Sequence, residues 1–192
     1  GSGGFGGFGR GARQQPPAKG ANTPYRLRVP FEDAAALKPQ RITLQDGKTI
    51  DLKLAAGVET GTQMRLSGKG QPGPGGTGDA IVTIEIEPHA FFKRDGDAVR
   101  LELPITLDEA VLGGPVRVPT VDGTVMLNIP KGSSSGKTLR LKGKGFHRKG
   151  GDRGDQFVTL MIDLPADDAA LIAFAESWAD KERRNPRRAL GV

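Results

Sequence analysis

Cysteine is absent from the 192 residues, which excludes disulfides and any thiolate-held metal. Histidine is nearly absent: His89 and His147 are the only imidazoles, too few for most histidine-dependent catalysis or metal ligation. Aromatic side chains make up 5%. No apolar run approaches the roughly 18 residues that span a bilayer. The N-terminus is glycine-rich rather than apolar, so no secretory signal is read there. Together these gaps predict a protein suited to a reducing, cytoplasmic setting, with no membrane partner and no metal or other cofactor.

Glycine and proline are plentiful instead, at 29 and 14 residues. That composition suits short strands joined by tight turns, each small domain burying a modest core. The net charge of +6 is unevenly spread. Between 137 and 153 stand Lys137, Arg140, Lys142, Lys144, Arg148, Lys149 and Arg153, against a single acid, Asp152. Arg183, Arg184, Arg187 and Arg188 form a second cluster. Such patches attract phosphate backbones or acidic partners, and they equally serve as solvated surface.

Residues 1–24 read as a disordered linker, with Phe5 and Phe8 as isolated apolar points in a glycine-dominated run. Burial on that scale does not offset the entropy of ordering the backbone. From Tyr25 onward the chain repeats itself. The run Tyr25 to Phe31 (YRLRVPF) returns as Val99 to Ile105 (VRLELPI), 74 positions on. Asp46-Gly47 returns as Asp122-Gly123, Gly61 to Gly70 (GTQMRLSGKG) as Gly136 to Gly145 (GKTLRLKGKG), and Gly78 to Val82 as Gly154 to Val158. Four blocks in one order predict two copies of one fold.

Each copy alternates polar and apolar residues with the period of a half-buried strand. This holds for Arg26–Val29, Thr49–Leu54, Ile81–Ile86, Val99–Leu103, Val125–Ile129 and Val158–Ile162. The Asp-Gly pairs sit at hairpin turns, and Pro30 and Pro104 belong at strand ends or edges. Short helices are predicted at Phe31–Leu37 and Leu107–Leu112. The fold class is mainly β: two tandem, small β-sandwich-like domains at 25–95 and 96–165, with the linker before them. Residues 166–192 carry an amphipathic helix, capped by Asp167 or Asp168 and ended by Pro186. Its stripe includes Leu171, Phe174 and Trp178. Either it packs on its own domain or it meets the same helix of a second copy; the sequence leaves both open.

Motifs that look chemical fail on context. Gly68 to Gly73 matches the dinucleotide-binding glycine pattern, but Pro72 and Pro74 bar the helix that pattern requires. Gly132 to Thr138 is one residue short of a phosphate-binding loop and leads into a strand. There is no nucleophile elbow and no credible base. No catalytic residues are expected, and the chain is read as a non-enzyme.

Several blocks resemble the C-terminal domains of DnaJ-like co-chaperones. They are Pro88 to Asp97 (PHAFFKRDGD), Leu103 to Gly114 (LPITLDEAVLGG), Val118 to Gly123 (VPTVDG) and Arg140 to Gly145 (RLKGKG). The leading segment is similar to that family's Gly/Phe-rich region. No His-Pro-Asp triplet of a J-domain occurs in these residues, so this chain alone is not expected to stimulate a DnaK-type ATPase. The zinc-free subgroup, which includes proteins described as curved-DNA-binding, is the closer match.

That resemblance implies a homodimer joined through C-terminal segments, which holds unfolded client proteins and presents them to a DnaK-type chaperone. It implies a client-peptide groove beside an exposed strand, with Ile42 and Leu44 on that strand. Leu27, Val29 and Phe91 are its candidate walls, and Gln40 stands where other members carry a further apolar residue. Ordinary core packing is the competing reading for all five. The alternative function is sequence-nonspecific DNA binding through Lys142, Lys144, Arg148, Lys149 and the C-terminal arginines.

Overall fold

Alternating side chains set most of the architecture. The computed structural model describes residues 1–4, 6, 7, 11 and 15–192; Phe5 and Phe8 of the linker lie outside the described residues. Two compact units emerge. One comprises Gly1–Leu101, Pro119–Val125 and Arg140–Val158, the other Glu102–Val118, Met126–Leu139 and Thr159–Val192. Among the described residues no helix is long and apolar enough to cross a membrane.

The first unit begins with β1 (Thr23–Val29), which runs directly into α1 (Phe31–Ala36) through Pro30. Then follow β2 (Gln40–Thr43), β3 (Thr49–Leu52), β4 (Gln63–Leu66), β5 (Ala80–Ile86) and β6 (Lys93–Asp95). β5 is central in a three-stranded sheet, parallel to β1 and antiparallel to β4. Its Ala80, Val82 and Ile84 are fully buried, as is Val29 on β1. β2 and β3 form a separate antiparallel ribbon in which Ile42 faces Ile50. Between Ala18 and Asn22, a stretch read above as linker, the chain is tied to the glycine-rich loop. Gly20 N–H donates to Gly76 O (2.9 Å), Gln71 N–H to Ala21 O (2.8 Å) and Asp79 N–H to Asn22 Oδ1 (2.9 Å).

The repeat continues with β7 (Ala98–Ile105), α2 (Leu107–Leu112), β8 (Gly114–Thr120), β9 (Gly123–Ile129), β10 (Thr138–Leu141) and β11 (Gln156–Ile162). Strand order is β10-β11-β7-β6, with β8-β9 as a second ribbon. α2 is closed at its start by a reciprocal capping box. Thr106 Oγ1 accepts from Glu109 N–H, and Glu109 Oε1 accepts from Thr106 N–H at 2.9 Å. The chain is mainly β with several small sheets, as its alternation predicts.

Two expectations need correction. Backbone hydrogen bonds align the copies 76 positions apart at the first strand, not 74. Thr23 N–H donates to Asp79 O and Val99 N–H to Asp155 O, and the helices open at Phe31 and Leu107. A slip of two leaves every side chain on its own face, so the apolar pattern cannot separate the two registers. The last helix, α3 (Ala169–Ala179), is capped by Asp168 as expected, its carboxylate accepting from Leu171 N–H at 2.8 Å. It ends well before Pro186. Past Asp180, Glu182 accepts from the Arg184 guanidinium at 2.9 and 3.0 Å, a local pairing that competes with another helical turn. Arg184's hydrogen bonds hold the Glu182 carboxyl at about 2.

Candidate functional site

The β2–β3 ribbon leaves one backbone edge open. Leu44 N–H donates to Lys48 O at 2.8 Å, and antiparallel pairing then alternates. Gln40, Ile42 and Leu44 therefore bond to β3, while the amides of Arg41 and Thr43 point away from it. Among the described residues β2 has no other strand partner. Side-chain alternation is coupled to this: Ile42 and Leu44 are buried, at 5% and 6% exposure, and Arg41 and Thr43 are exposed.

The remaining predicted groove residues scatter. Leu27 is half-buried and Val29 fully buried, both on one face of β1. Phe91 is 47% exposed and packs on His89 and Phe92, with ring centroids 4.4 and 4.8 Å away. Gln40 is bonded back to α1 and its exit, donating to Asp33 Oδ2 (3.1 Å) and Lys38 O (2.9 Å). Sequence reasoning missed Tyr25. Its hydroxyl accepts from Gln45 N–H at 3.1 Å, which joins β1 to the turn after β2. Tyr25 lines a cavity of about 460 Å³ together with Leu44. The signal was available, since 25, 27 and 29 share one face by the period of two.

A family model described as the DnaJ C terminal domain matches residues 23–165. The chain belongs to the DnaJ C-terminal domain family. It is 46% identical over 142 residues to a chaperone protein DnaJ of Streptococcus thermophilus, covering 70% of this chain and 38% of that protein. With chaperone protein DnaJ 1 of Streptomyces coelicolor it shares 41% over 148 residues, covering 73% and 37%. A DnaJ-like protein of Synechocystis is 37% identical over 188 residues, 97% of this chain and 55% of its own length. The chain thus spans between about two fifths and just over half of these relatives.

Within this DnaJ C-terminal domain chain, an aromatic group ties β6's surroundings to the loop after β10. Phe31 meets Phe146 edge-on at 5.2 Å and stacks near Phe92 at 6.0 Å. The Arg94 guanidinium lies 3.8 Å above the Phe146 ring and donates to Val58 O at 2.7 Å; burial lowers its pKa. His89 Nε2 lies 2.5 Å from Glu32 Oε1, and His147 Nδ1 lies 3.0 Å from Ala35 O.

The basic stretch is largely engaged with carboxylates. Lys144 reaches Asp122 at 3.2 Å, Arg148 pairs with Asp97, and Arg140 lies 3.8 Å from Asp155. Arg153 holds Asp122 in a two-pronged pair, 2.8 Å for each prong. Its hydrogen bonds, then those of Lys144, keep the Asp122 carboxyl below the usual range against the opposing effect of burial. Lys142 and Lys149 are exposed. The DNA reading gains no support from this arrangement.

On α3, Leu171 is half-buried while Phe174 and Trp178 are 57% and 51% exposed. Their rings lie nearly parallel with centroids 6.2 Å apart. No residue of this helix is buried.

Proposed function

We propose that this chain holds non-native polypeptide as the dimeric client-binding portion of a DnaJ-type co-chaperone, and passes it to a DnaK-type chaperone. The observation that carries this reading is the open edge of β2. Unpaired Arg41 and Thr43 amides offer an extended peptide a ladder of main-chain hydrogen bonds. Beside it Tyr25 and Leu27, both half-buried, offer apolar surface, while Ile42 and Leu44 are buried and anchor the strand beneath. Recognition of this kind takes affinity from the backbone and reads sequence only through alternate side chains, which suits a protein that must accept many clients. The relatives named as chaperone proteins support the same role.

The test is suppression of aggregation of a chemically denatured model protein. The Ile42→Asp/Leu44→Asp double variant, shown folded by circular dichroism, is expected to lose most of the suppression. Full activity in that folded variant refutes the groove.

Dimerisation rests on the exposed face of α3. A soluble protein rarely leaves a paired phenylalanine and tryptophan uncovered. Light scattering is expected to give twice the chain mass, falling to the monomer mass in Phe174→Glu/Trp178→Glu. A monomer mass for the unaltered chain refutes it.

A further inference from the structure

The two copies build the same small frame at the end of their ribbons. Gly68 N–H donates to Asp79 Oδ1 at 2.9 Å, and Gly143 N–H to Asp155 Oδ1 at 2.8 Å. Gly70 N–H donates to Gly78 O, and Gly145 N–H to Gly154 O, both at 2.8 Å. Gln71 and Phe146 bond likewise to Ala21 and Asp97, again at 2.8 Å. In the second copy this frame holds one arginine side chain. Arg153 donates through Nε to Gly145 O at 2.8 Å and through both terminal nitrogens to Asp122. The matching acceptors in the first copy are Gly70 O and the Asp46 carboxylate, whose Oδ1 also accepts from Lys48 N–H at 2.9 Å, and Thr77 stands where Arg153 would be. With that short side chain the same place is a cavity of about 460 Å³, lined by Asp46, Gly70, Thr77, Tyr25, Lys69 and Gln71 among others.

We infer that this cavity is a binding site for a guanidinium group, the side chain of an arginine presented by another polypeptide. Asp46 takes the paired terminal nitrogens and the Gly70 carbonyl takes Nε, as Asp122 and Gly145 do for Arg153. The planar fork of a guanidinium suits a carboxylate flanked by a carbonyl, and an ammonium does not reproduce that pattern. Lys69 is no obstacle: its counterpart Lys144 shares Asp122 with Arg153. Lys48 also lines the cavity, and Thr124 is its uncharged counterpart. Lys48 therefore weakens the site for cations and makes an acidic ligand the natural rival. The cavity includes Leu44 and Gln45, the residues that follow β2. A peptide paired with β2 would carry an arginine to it, but the assignment of the cavity does not depend on such a peptide.

The test uses amide chemical shifts of the full chain, titrated with N-acetylarginine amide, its neutral isostere N-acetylcitrulline amide, and N-acetylglutamate amide. Arginine amide is expected to shift Asp46, Gly70 and Gln71 saturably, and to bind about tenfold more tightly than citrulline amide, the worth of one charge-assisted pair. Thr77→Arg, which installs the second copy's own arginine, is expected to abolish those shifts, and Asp46→Asn to remove the advantage over citrulline. Equal binding of arginine and citrulline amides, a preference for glutamate amide, or arginine shifts that persist in folded Thr77→Arg each overturn the assignment.

Discussion

Asp122 with Arg153 and Asp46 with Thr77 occupy matching places in the two copies, and the ribbons beside them differ in the same direction. On β8, Val116, Val118 and Thr120 are buried, and Pro115, Arg117 and Pro119 alternate with them. Pro119 has no N–H, and its carbonyl accepts from Gln156 Nε2 at 3.0 Å. On β2 the matching residue is Thr43, with its amide free to pair. Proline on an outward position is a common way to blunt a strand edge. The second copy therefore satisfies these groups with its own side chains at both places, whereas the first turns the Thr43 amide outward and pairs Asp46 with the Lys48 backbone N–H rather than with an arginine. One fold used twice thus leaves a strand edge open in one copy and closes it with proline in the other.

The largest expected effect falls on the second copy. Arg153→Ala removes three hydrogen bonds from a half-buried carboxylate frame, and is expected to cost about 2 kcal/mol in denaturant unfolding. The pH dependence follows from the depressed Asp122 carboxyl. A group held below its unfolded value, about 3.9 for aspartate, contributes stability above that pH and loses it as pH falls through the folded value. Unaltered protein should therefore lose stability below about pH 4 more steeply than Arg153→Ala. Identical acid limbs would dissociate Arg153 from the Asp122 shift.

Next comes the open edge. Thr43→Pro deletes one outward N–H without touching Ile42 or Leu44, and is expected to weaken an extended apolar peptide about tenfold by fluorescence anisotropy, roughly one hydrogen bond. Pro119→Thr in the second copy should leave that affinity unchanged, because the Pro119 carbonyl remains taken by Gln156. A gain in peptide stoichiometry would show that proline alone closes the second edge. The smallest effect is expected at Thr77→Ala, within about 0.5 kcal/mol of the unaltered chain, since no described side chain bonds to Thr77. A cost matching that of Arg153→Ala would mean the two places are not equivalent.

Much of this organisation is legible in the chain itself, and the failures have a common cause. Strands at Ile81–Ile86 and Val158–Ile162, both hairpin Asp-Gly pairs and the helix at Leu107–Leu112 follow from period and turn chemistry. β6 escaped because three residues, Lys93–Asp95, carry no period. The offset of 76 at the first strand escaped because the apolar pattern does not distinguish a slip of two. Ile42 and Leu44 were picked out by their place in the family pattern. That Tyr25 stands beside Leu44 depends on how β1 meets the ribbon, which a single strand's residues do not encode.

Local chemistry was thus decided by the sequence alone: a cysteine-free, glycine-rich chain that folds twice into short strands, with a capped helix after them. Contacts between residues far apart in the chain belong to the tertiary structure. Whether an amide is spent or free depends on which strand lies alongside it. Whether a threonine is an ordinary surface residue or part of a cavity's lining depends on the acceptors brought around it, Asp46 and Gly70, 31 and 7 positions away. Spacing in the chain sets neither, because both are properties of the space that the folded backbone encloses.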